Sequence, residues 1–154
     1  MDSIIREYIL YYLGYLIFDA AVMFVTGLTV LSEPINFGRL PIYALLTGLV
    51  VALSRWYLDP FGFGLHIFAT AAGSTVIANR VFPMSIRTAF LSTLLGLSVL
   101  SATEYLCYPF FIRFWQDPNY VENIYTDIVS GWAIILLLIL FNIGVHYARK
   151  NQGN

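Results

Sequence analysis

Five long apolar stretches, separated by short polar turns, constrain the fold of this 154-residue chain more than any other feature. A helix that crosses a bilayer needs about 20 mostly apolar residues, because each adds about 1.5 Å along a hydrocarbon layer about 30 Å thick. The stretches run from about residue 8 to 31, 40 to 58, 65 to 82, 86 to 108 and 128 to 147. This pattern predicts an all-α integral membrane bundle of about five transmembrane helices, forming one domain over residues 1–154.

Composition supports the same conclusion. Hydrophobic residues make up 59% of the chain and charged residues only 11%, against about 25% charged residues in soluble domains. A soluble fold of this size needs more charge to cover its surface, whereas lipid accepts an apolar exterior. The sequence therefore predicts a multi-pass protein of the cell membrane, with the lipid bilayer as its main partner.

Several classes of function are disfavoured by the residues present. The eight Lys and Arg residues do not form the basic stripe that a phosphate backbone requires, so we expect no nucleic-acid partner. No His, Cys or carboxylate cluster has metal-ligand spacing, and Cys107 is the single cysteine. No sequence pattern of a catalytic triad or a phosphate-binding loop is visible. We expect no metal, no cofactor and no enzymatic activity.

Proline and small residues predict how the stretches end and pack. Pro60 and the glycines that follow it separate the second stretch from the third, and Pro109 is expected to kink or end the fourth. The third stretch is rich in Ala, Gly and Ser. Because small residues let helix backbones approach closely, we expect the third helix to pack at the centre of the bundle.

The positive charges predict an orientation, because Lys and Arg in short loops stay on the cytoplasmic side. With five spans, the two termini face opposite sides of the membrane. The side of the C-terminus holds Arg39, Arg80, Arg87, Arg149 and Lys150, and the other side holds Arg6, Arg55 and Arg113. The predicted orientation is N-terminus out and C-terminus in.

Asp19 is the most deeply placed charged residue, about 16 Å into the first stretch at 1.5 Å per residue. A charged carboxylate at mid-membrane costs at least about 2.5 kcal/mol on insertion scales, so it must be neutral, paired or next to a wet cavity. Two interpretations are open. Asp19 either responds to protons or to a polar ligand, or it is a protonated carboxyl that hydrogen-bonds another helix.

A second group of ionisable residues lies toward the outer ends of the spans: Arg55, Asp59, His66 and Glu104. If their helices are neighbours, these residues form a cluster at the outer mouth of the bundle that binds a small polar or peptide ligand, or titrates. The alternative is an interhelical ion pair that fixes the register of the helices while Arg55 extends to the interface. Asp19 and these four residues are the candidate sensing or ligand-binding residues.

Six features occur in order along the chain: Asp19 with Gly27-Leu28, the loop Pro34-Ile35-Asn36-Phe37-Gly38-Arg39-Leu40, Arg55, the turn Pro60-Phe61-Gly62 with His66, Glu104 with Pro109, and Gly131-Trp132. This order resembles the N-terminal membrane sensor region of sporulation-kinase-like sensor histidine kinases, of the GHKL type, from Gram-positive bacteria. The resemblance covers nearly the whole chain. It departs from the family where three residues separate the turn from His66, and because the kinase domain's nucleotide-binding motifs do not occur in the 154 residues.

The resemblance implies a sensing or regulatory module of a two-component system in the bacterial cytoplasmic membrane. Such a module acts through a partner, which we expect to be a histidine kinase, another membrane protein or a second copy in a homodimer. Two other functions stay open. A small transporter subunit would bind a solute within the helix bundle, and a structural assembly factor would use Asp19 and Glu104 only for stability.

Overall fold

A computed structural model describes residue 6 and residues 9–61, 64–115 and 124–152. Within those residues the chain is helical with no strand, which confirms the predicted all-α class. We number the helices α1 (Ile9–Leu31), α2 (Leu40–Leu58), α3 (Leu65–Val81), α4 (Ile86–Trp115) and α5 (Ile124–Gln152). A short 3-10 turn at Asp59–Phe61 follows α2, and the segment Tyr12–Leu16 of α1 is π-helical.

Four of the described helices, α1, α2, α4 and α5, are long and apolar enough to cross a membrane. The fifth, α3, has 17 residues, which is roughly 26 Å at 1.5 Å per residue. Large apolar side chains cover the outer faces of the bundle, including Phe68, Leu106 and Phe110. Lipid accepts such a surface and water does not, so the fold is compatible with a multi-pass membrane protein.

Helix α1 forms the centre of the bundle and packs against α2, α4 and α5. In its most apolar stretch 56% of the residues are buried, against 33% in α2 and 22% in α4 and α5. The expectation that the third helix is central is therefore wrong, since α3 packs mainly against α2 and α4. Its small residues serve that lateral contact, where Gly73 lies against Val50 of α2.

Helices α1 and α4 cross closely. A Cβ atom added at Gly27 of α1 would overlap the backbone oxygen of Ser92 on α4. A Cβ atom added at Gly96 of α4 would overlap the backbone oxygen of Met23 on α1. Glycines on both helices thus bring the two backbones into contact, which is the packing that membrane helices favour in the absence of a hydrophobic driving force.

We call the end of the bundle where α1 begins the N-terminal face, and the end where α5 finishes the C-terminal face. Near the C-terminal face, Phe24 of α1 stacks on Tyr43 of α2 with ring centroids 4.3 Å apart. Phe82, which follows α3, lies 5.1 Å from Phe24. This aromatic cluster, together with Leu28, Ala78 and Ala89, is fully or almost fully buried and joins four helices.

Polar contacts fasten α5 along the length of α1. The Trp132 indole donates to the Gly14 carbonyl at 2.8 Å, and the Asn142 amide donates to the Thr26 hydroxyl at 3.0 Å. At the C-terminal face the Arg149 guanidinium donates to the carbonyls of Thr29 and Val30. Carbonyls in the last turn of a helix have few intrahelical partners, and Arg149 supplies further donors to two of those at the end of α1.

The helix ends differ from the predicted spans mainly in α4 and α5. Helix α4 continues through Pro109 to Trp115, although proline removes the N–H that would bond the carbonyl of Tyr105. Membrane helices tolerate proline because neighbouring groups satisfy the freed carbonyl. Helix α5 begins at Ile124, four residues before the fifth predicted stretch, and residues 116–123 lie outside the described part of the chain.

Candidate functional site

A cavity of about 350 Å³ lies near the N-terminal face, between α1, α2, α4 and α5. Two charged side chains line it, Arg55 from α2 and Glu104 from α4. Four aromatic side chains form much of the remaining wall: Tyr11, Tyr15, Tyr108 and Phe111. Its size is in the range of sites that bind small molecules, which is about 300–1,000 Å³.

The π-helical segment of α1 borders this cavity. Tyr15 belongs to the segment and Tyr11 immediately precedes it, with their rings 5.3 Å apart. Gly131 of α5 faces the Tyr15 ring so closely that a Cβ atom there would overlap it. Because Gly131 has no side chain, α5 leaves room for the Tyr15 ring. The Trp132 indole donates a hydrogen bond to the Gly14 carbonyl in the adjoining backbone. Single π-helical turns occur often at functional sites.

Arg55 reaches the cavity from the last turn of α2. One nitrogen of its guanidinium donates to the Tyr11 hydroxyl at 2.8 Å. Its charge interacts with both Asp19 and Glu104. Among the described residues, however, neither carboxylate approaches within the 4.0 Å of an ion pair with Arg55. A guanidinium carries five N–H donors, so most of the hydrogen-bonding capacity of Arg55 is available to a ligand.

Asp19 lies one helical turn below Tyr15, about 15 Å from the start of α1 at Ile9 and close to the middle of the helix. The carboxyl is buried, with 7% of the residue exposed, and it does not itself line the cavity. The Tyr15 hydroxyl interacts with it. The Oδ1 atom of Asp19 has no hydrogen-bond partner among the described residues, so Tyr15 separates the cavity from a carboxyl oxygen that can still accept a hydrogen bond.

Glu104 faces Arg55 from α4, and its side chain is partly exposed in the cavity wall. Its charge interacts with Arg55 and with the more deeply buried Asp19. The cavity thus combines one cation, one carboxylate in its wall, a second carboxylate behind Tyr15, and aromatic faces. That combination suits a small molecule with both a positive and a negative group.

Comparison with known proteins gives no relative. No protein-family model, curated protein or solved structure matches the chain. The site is therefore interpreted from its own chemistry.

The structure brings three of the five predicted site residues together, namely Asp19, Arg55 and Glu104. His66 lies in the first turn of α3 and does not line the cavity. The backbone of Asp59 belongs to the short 3-10 turn after α2, while its side chain lies outside what the structure describes. Of the predicted outer cluster, Arg55 and Glu104 line the cavity and His66 does not, while Asp19, predicted as a separate and deeper residue, lies behind the cavity.

Sequence reasoning missed the tyrosines as site residues. Tyr11, Tyr15 and Asp19 are spaced by four residues, which places them along one side of a helix. This spacing is the sequence feature that could have identified Tyr11 and Tyr15 as neighbours of Asp19. Within the described part of the chain, no group of three His, Cys, Asp or Glu residues is placed to hold a metal ion.

A larger cavity of about 670 Å³ opens near the C-terminal face, between α1, α5 and the loop after α1. Its wall is mostly apolar and includes Val25, Ile143 and Tyr147. Glu33, His146 and Arg149 also border it, and the Arg149 guanidinium already donates to two carbonyls of α1. The wall of the smaller cavity is less apolar, which makes that cavity the better candidate for a polar ligand.

Proposed function

We propose that this protein is a membrane-embedded sensing module that binds a small polar ligand in the cavity at its N-terminal face. One observation carries the proposal: Arg55 and Glu104 line the same cavity without forming an ion pair, and Asp19 lies behind it with an unpartnered oxygen. Charges are expensive inside a membrane and normally neutralise one another when they are only structural. Charges held apart around a cavity are suited to a ligand.

In the proposed arrangement all five helices cross the bacterial cytoplasmic membrane, with the N-terminus outside and the C-terminus inside. The greater number of Lys and Arg residues near the C-terminal face supports this orientation. Helix α3, at 17 residues, is short for a span, and a modest local thinning of the bilayer accommodates such a helix. In this orientation the charged cavity opens toward the outside of the cell.

The chemistry of the wall specifies the ligand class. A planar guanidinium binds carboxylates through paired hydrogen bonds, so we propose that Arg55 binds the acidic group of the ligand. Glu104 and the surrounding aromatic faces are proposed to bind a positively charged amino group of the ligand. We therefore propose a small zwitterion, such as an amino acid or the end of a short peptide, as the ligand.

The proposed signal is a shift in packing between α1, α2 and α4, the helices that carry Asp19, Arg55 and Glu104. A ligand can move such an equilibrium only through a difference in its affinity for the two states. A zwitterion that draws Arg55 and Glu104 toward itself supplies that difference. The partner that responds is proposed to be a histidine kinase, another membrane protein or a second copy of the chain, as the resemblance to sensor kinases implies.

A size-matched ligand set tests the proposal. Purified protein in detergent is titrated with phenylalanine, phenethylamine and 3-phenylpropionate, and binding is measured by calorimetry and by thermal unfolding. We expect phenylalanine to bind and the two singly charged compounds to bind at least severalfold more weakly. Arg55→Gln and Glu104→Gln should abolish the preference, whereas Arg113→Gln, on the exposed end of α4, should preserve it. Equal weak binding of all three compounds would reject the zwitterion assignment.

Transport is a second candidate function, because Asp19 lies near the middle of α1 and is coupled to the charges of the cavity. A transporter subunit moves a labelled solute into vesicles, and Asp19→Asn abolishes that uptake. A sensing module binds its ligand without flux. Uptake of radiolabelled phenylalanine into proteoliposomes, compared with empty liposomes, therefore separates the two functions.

A further inference from the structure

A second polar site lies away from the charged cavity, where α2, α3 and α4 meet. Four hydroxyl groups occupy it, from Tyr43, Thr47, Ser74 and Thr93, and all four residues are 0% exposed. The hydroxyls of Thr47, Ser74 and Thr93 each lie within interaction range of the Tyr43 hydroxyl. We call this group the hydroxyl cluster.

None of these four hydroxyls forms a direct hydrogen bond within the described part of the chain. Two other hydroxyls of the bundle behave differently. Thr26 donates to the carbonyl of Val22 at 2.8 Å, and Thr75 donates to the carbonyl of Ala71 at 2.7 Å. Bonding to the carbonyl four residues earlier is the usual solution for such residues inside a helix. The cluster hydroxyls instead converge on one another.

The position of the Tyr43 hydroxyl is fixed by its ring. Phe24 stacks against the ring at 4.3 Å and Phe82 lies 5.8 Å from it. Close packing of this kind prevents the ring from turning its hydroxyl toward the membrane surface. The hydroxyl therefore stays among the hydroxyls of the neighbouring helices.

A buried hydroxyl without a partner costs free energy comparable to a lost hydrogen bond, and four at one point would use a large part of a domain's net stability. A buried water molecule typically makes about three hydrogen bonds to such groups and can both donate and accept. The cluster consists only of neutral oxygens, and a bare cation there would lack a compensating charge.

We propose that the hydroxyl cluster binds ordered water, forming an internal hydration site that joins α2, α3 and α4 within the membrane. The water completes the hydrogen bonds of Tyr43, Thr47, Ser74 and Thr93. This site is independent of the ligand proposed for the charged cavity.

X-ray hydroxyl-radical footprinting of the intact protein in detergent tests the proposal, because radicals formed from a bound water label an adjacent buried ring. Phe24 is the matched control, since it is also 0% exposed and stacks on Tyr43. We expect Tyr43 to be labelled at a rate severalfold above that of Phe24. Equal protection of both rings would overturn the proposal.

A set of variants locates the water. The triple change Thr47→Val, Ser74→Ala and Thr93→Val should reduce the labelling of Tyr43 severalfold, whereas Thr75→Val, whose hydroxyl bonds its own helix, should not. Should the triple variant fail to fold, the comparison of Tyr43 with Phe24 in the unaltered protein still decides. Thermal stability should be the same in sodium and in potassium chloride, and a sodium-specific rise would assign the site to a cation instead.

Discussion

The two halves of the bundle differ in what fills the space between the helices. Toward the C-terminal face, backbones touch at Gly27 and Gly96, and aromatic rings such as Phe24 fill the remaining space. Toward the N-terminal face, a cavity separates α1, α2, α4 and α5, and charged side chains project into it. The difference indicates that close packing holds the helices in one half, which allows the other half to keep charged side chains beside a cavity.

The two halves should respond differently to substitution. Substitutions in the closely packed half should destabilise the fold, because its contacts cannot relax. Substitutions of the charges beside the cavity should change binding with little change in stability. Four substitutions test the claim, from the largest expected loss of stability to the smallest.

Gly27→Ala should have the largest effect. The added methyl group overlaps the Ser92 backbone oxygen, so α1 and α4 must separate, and we expect a loss of about 3 kcal/mol of unfolding free energy. Unfolding is measured in mixed micelles against denaturing detergent. Gly144→Ala is the control, because no atom lies within 4 Å of a Cβ added there, and it should change stability by about 0.5 kcal/mol or less. Equal effects of the two changes would contradict the close crossing.

Arg149→Gln should have the next largest effect. The substitution weakens or removes the bonds to the carbonyls of Thr29 and Val30, and hydrogen bonds from charged groups are worth about 1.5–3 kcal/mol. We expect a loss of about 2 kcal/mol in the same unfolding measurement. Lys150→Gln, at the neighbouring exposed position, is the matched control and should have little effect. A loss as small as that of the control would show that the end of α1 does not depend on α5.

Trp132→Phe should cost about 1 kcal/mol, because it removes one hydrogen bond to Gly14 but keeps an aromatic ring at the position. Tyr147→Phe, on the exposed face of the same helix, is the control. The more specific measurement is ligand binding, since Trp132 holds the π-helical segment beside the cavity. Weaker binding at unchanged ligand preference is the expected result, and a lost preference would mean that Trp132 positions Arg55 or Glu104.

Asp19→Asn should have the smallest effect on stability, about 0.5 kcal/mol or less, because one carboxyl oxygen has no partner to lose. Its effect should appear in the ligand-dependent rise of the unfolding temperature, which we expect to fall. Glu33→Gln, on the exposed loop after α1, is the control for loss of a carboxylate. A loss of stability as large as that of Arg149→Gln would favour the structural role of Asp19. It would also contradict the expectation that the charges beside the cavity contribute little to stability.

Hydropathy and the rarity of charge made much of the fold predictable. The second stretch was predicted over residues 40–58, and α2 spans Leu40–Leu58. Asp19, Arg55 and Glu104 stand out in the sequence because a charged side chain inside a membrane is costly and is usually paired or functional. The structure places all three within electrostatic reach of one another.

Packing between helices was less predictable, because composition does not show which small residues face which neighbour. The third stretch has many small residues, yet the close crossing uses Gly27 and Gly96 of α1 and α4. The π-helical segment contacts Gly131 and Trp132 of α5, which are far from it in the sequence. The hydroxyl cluster draws on three helices, so no local pattern identifies it.

The contacts between α1 and α5 also bear on how the protein is made. Residues joined by these hydrogen bonds are 116 to 120 positions apart in the sequence. A ribosome that adds about 5–20 residues per second needs roughly 6 to 24 seconds to cover that distance. During this time α1 is already synthesised, while the side chains of Trp132, Asn142 and Arg149 that will bond it do not yet exist. A chaperone or insertase that holds α1 would therefore be most useful to this chain in the interval between synthesis of α1 and of α5.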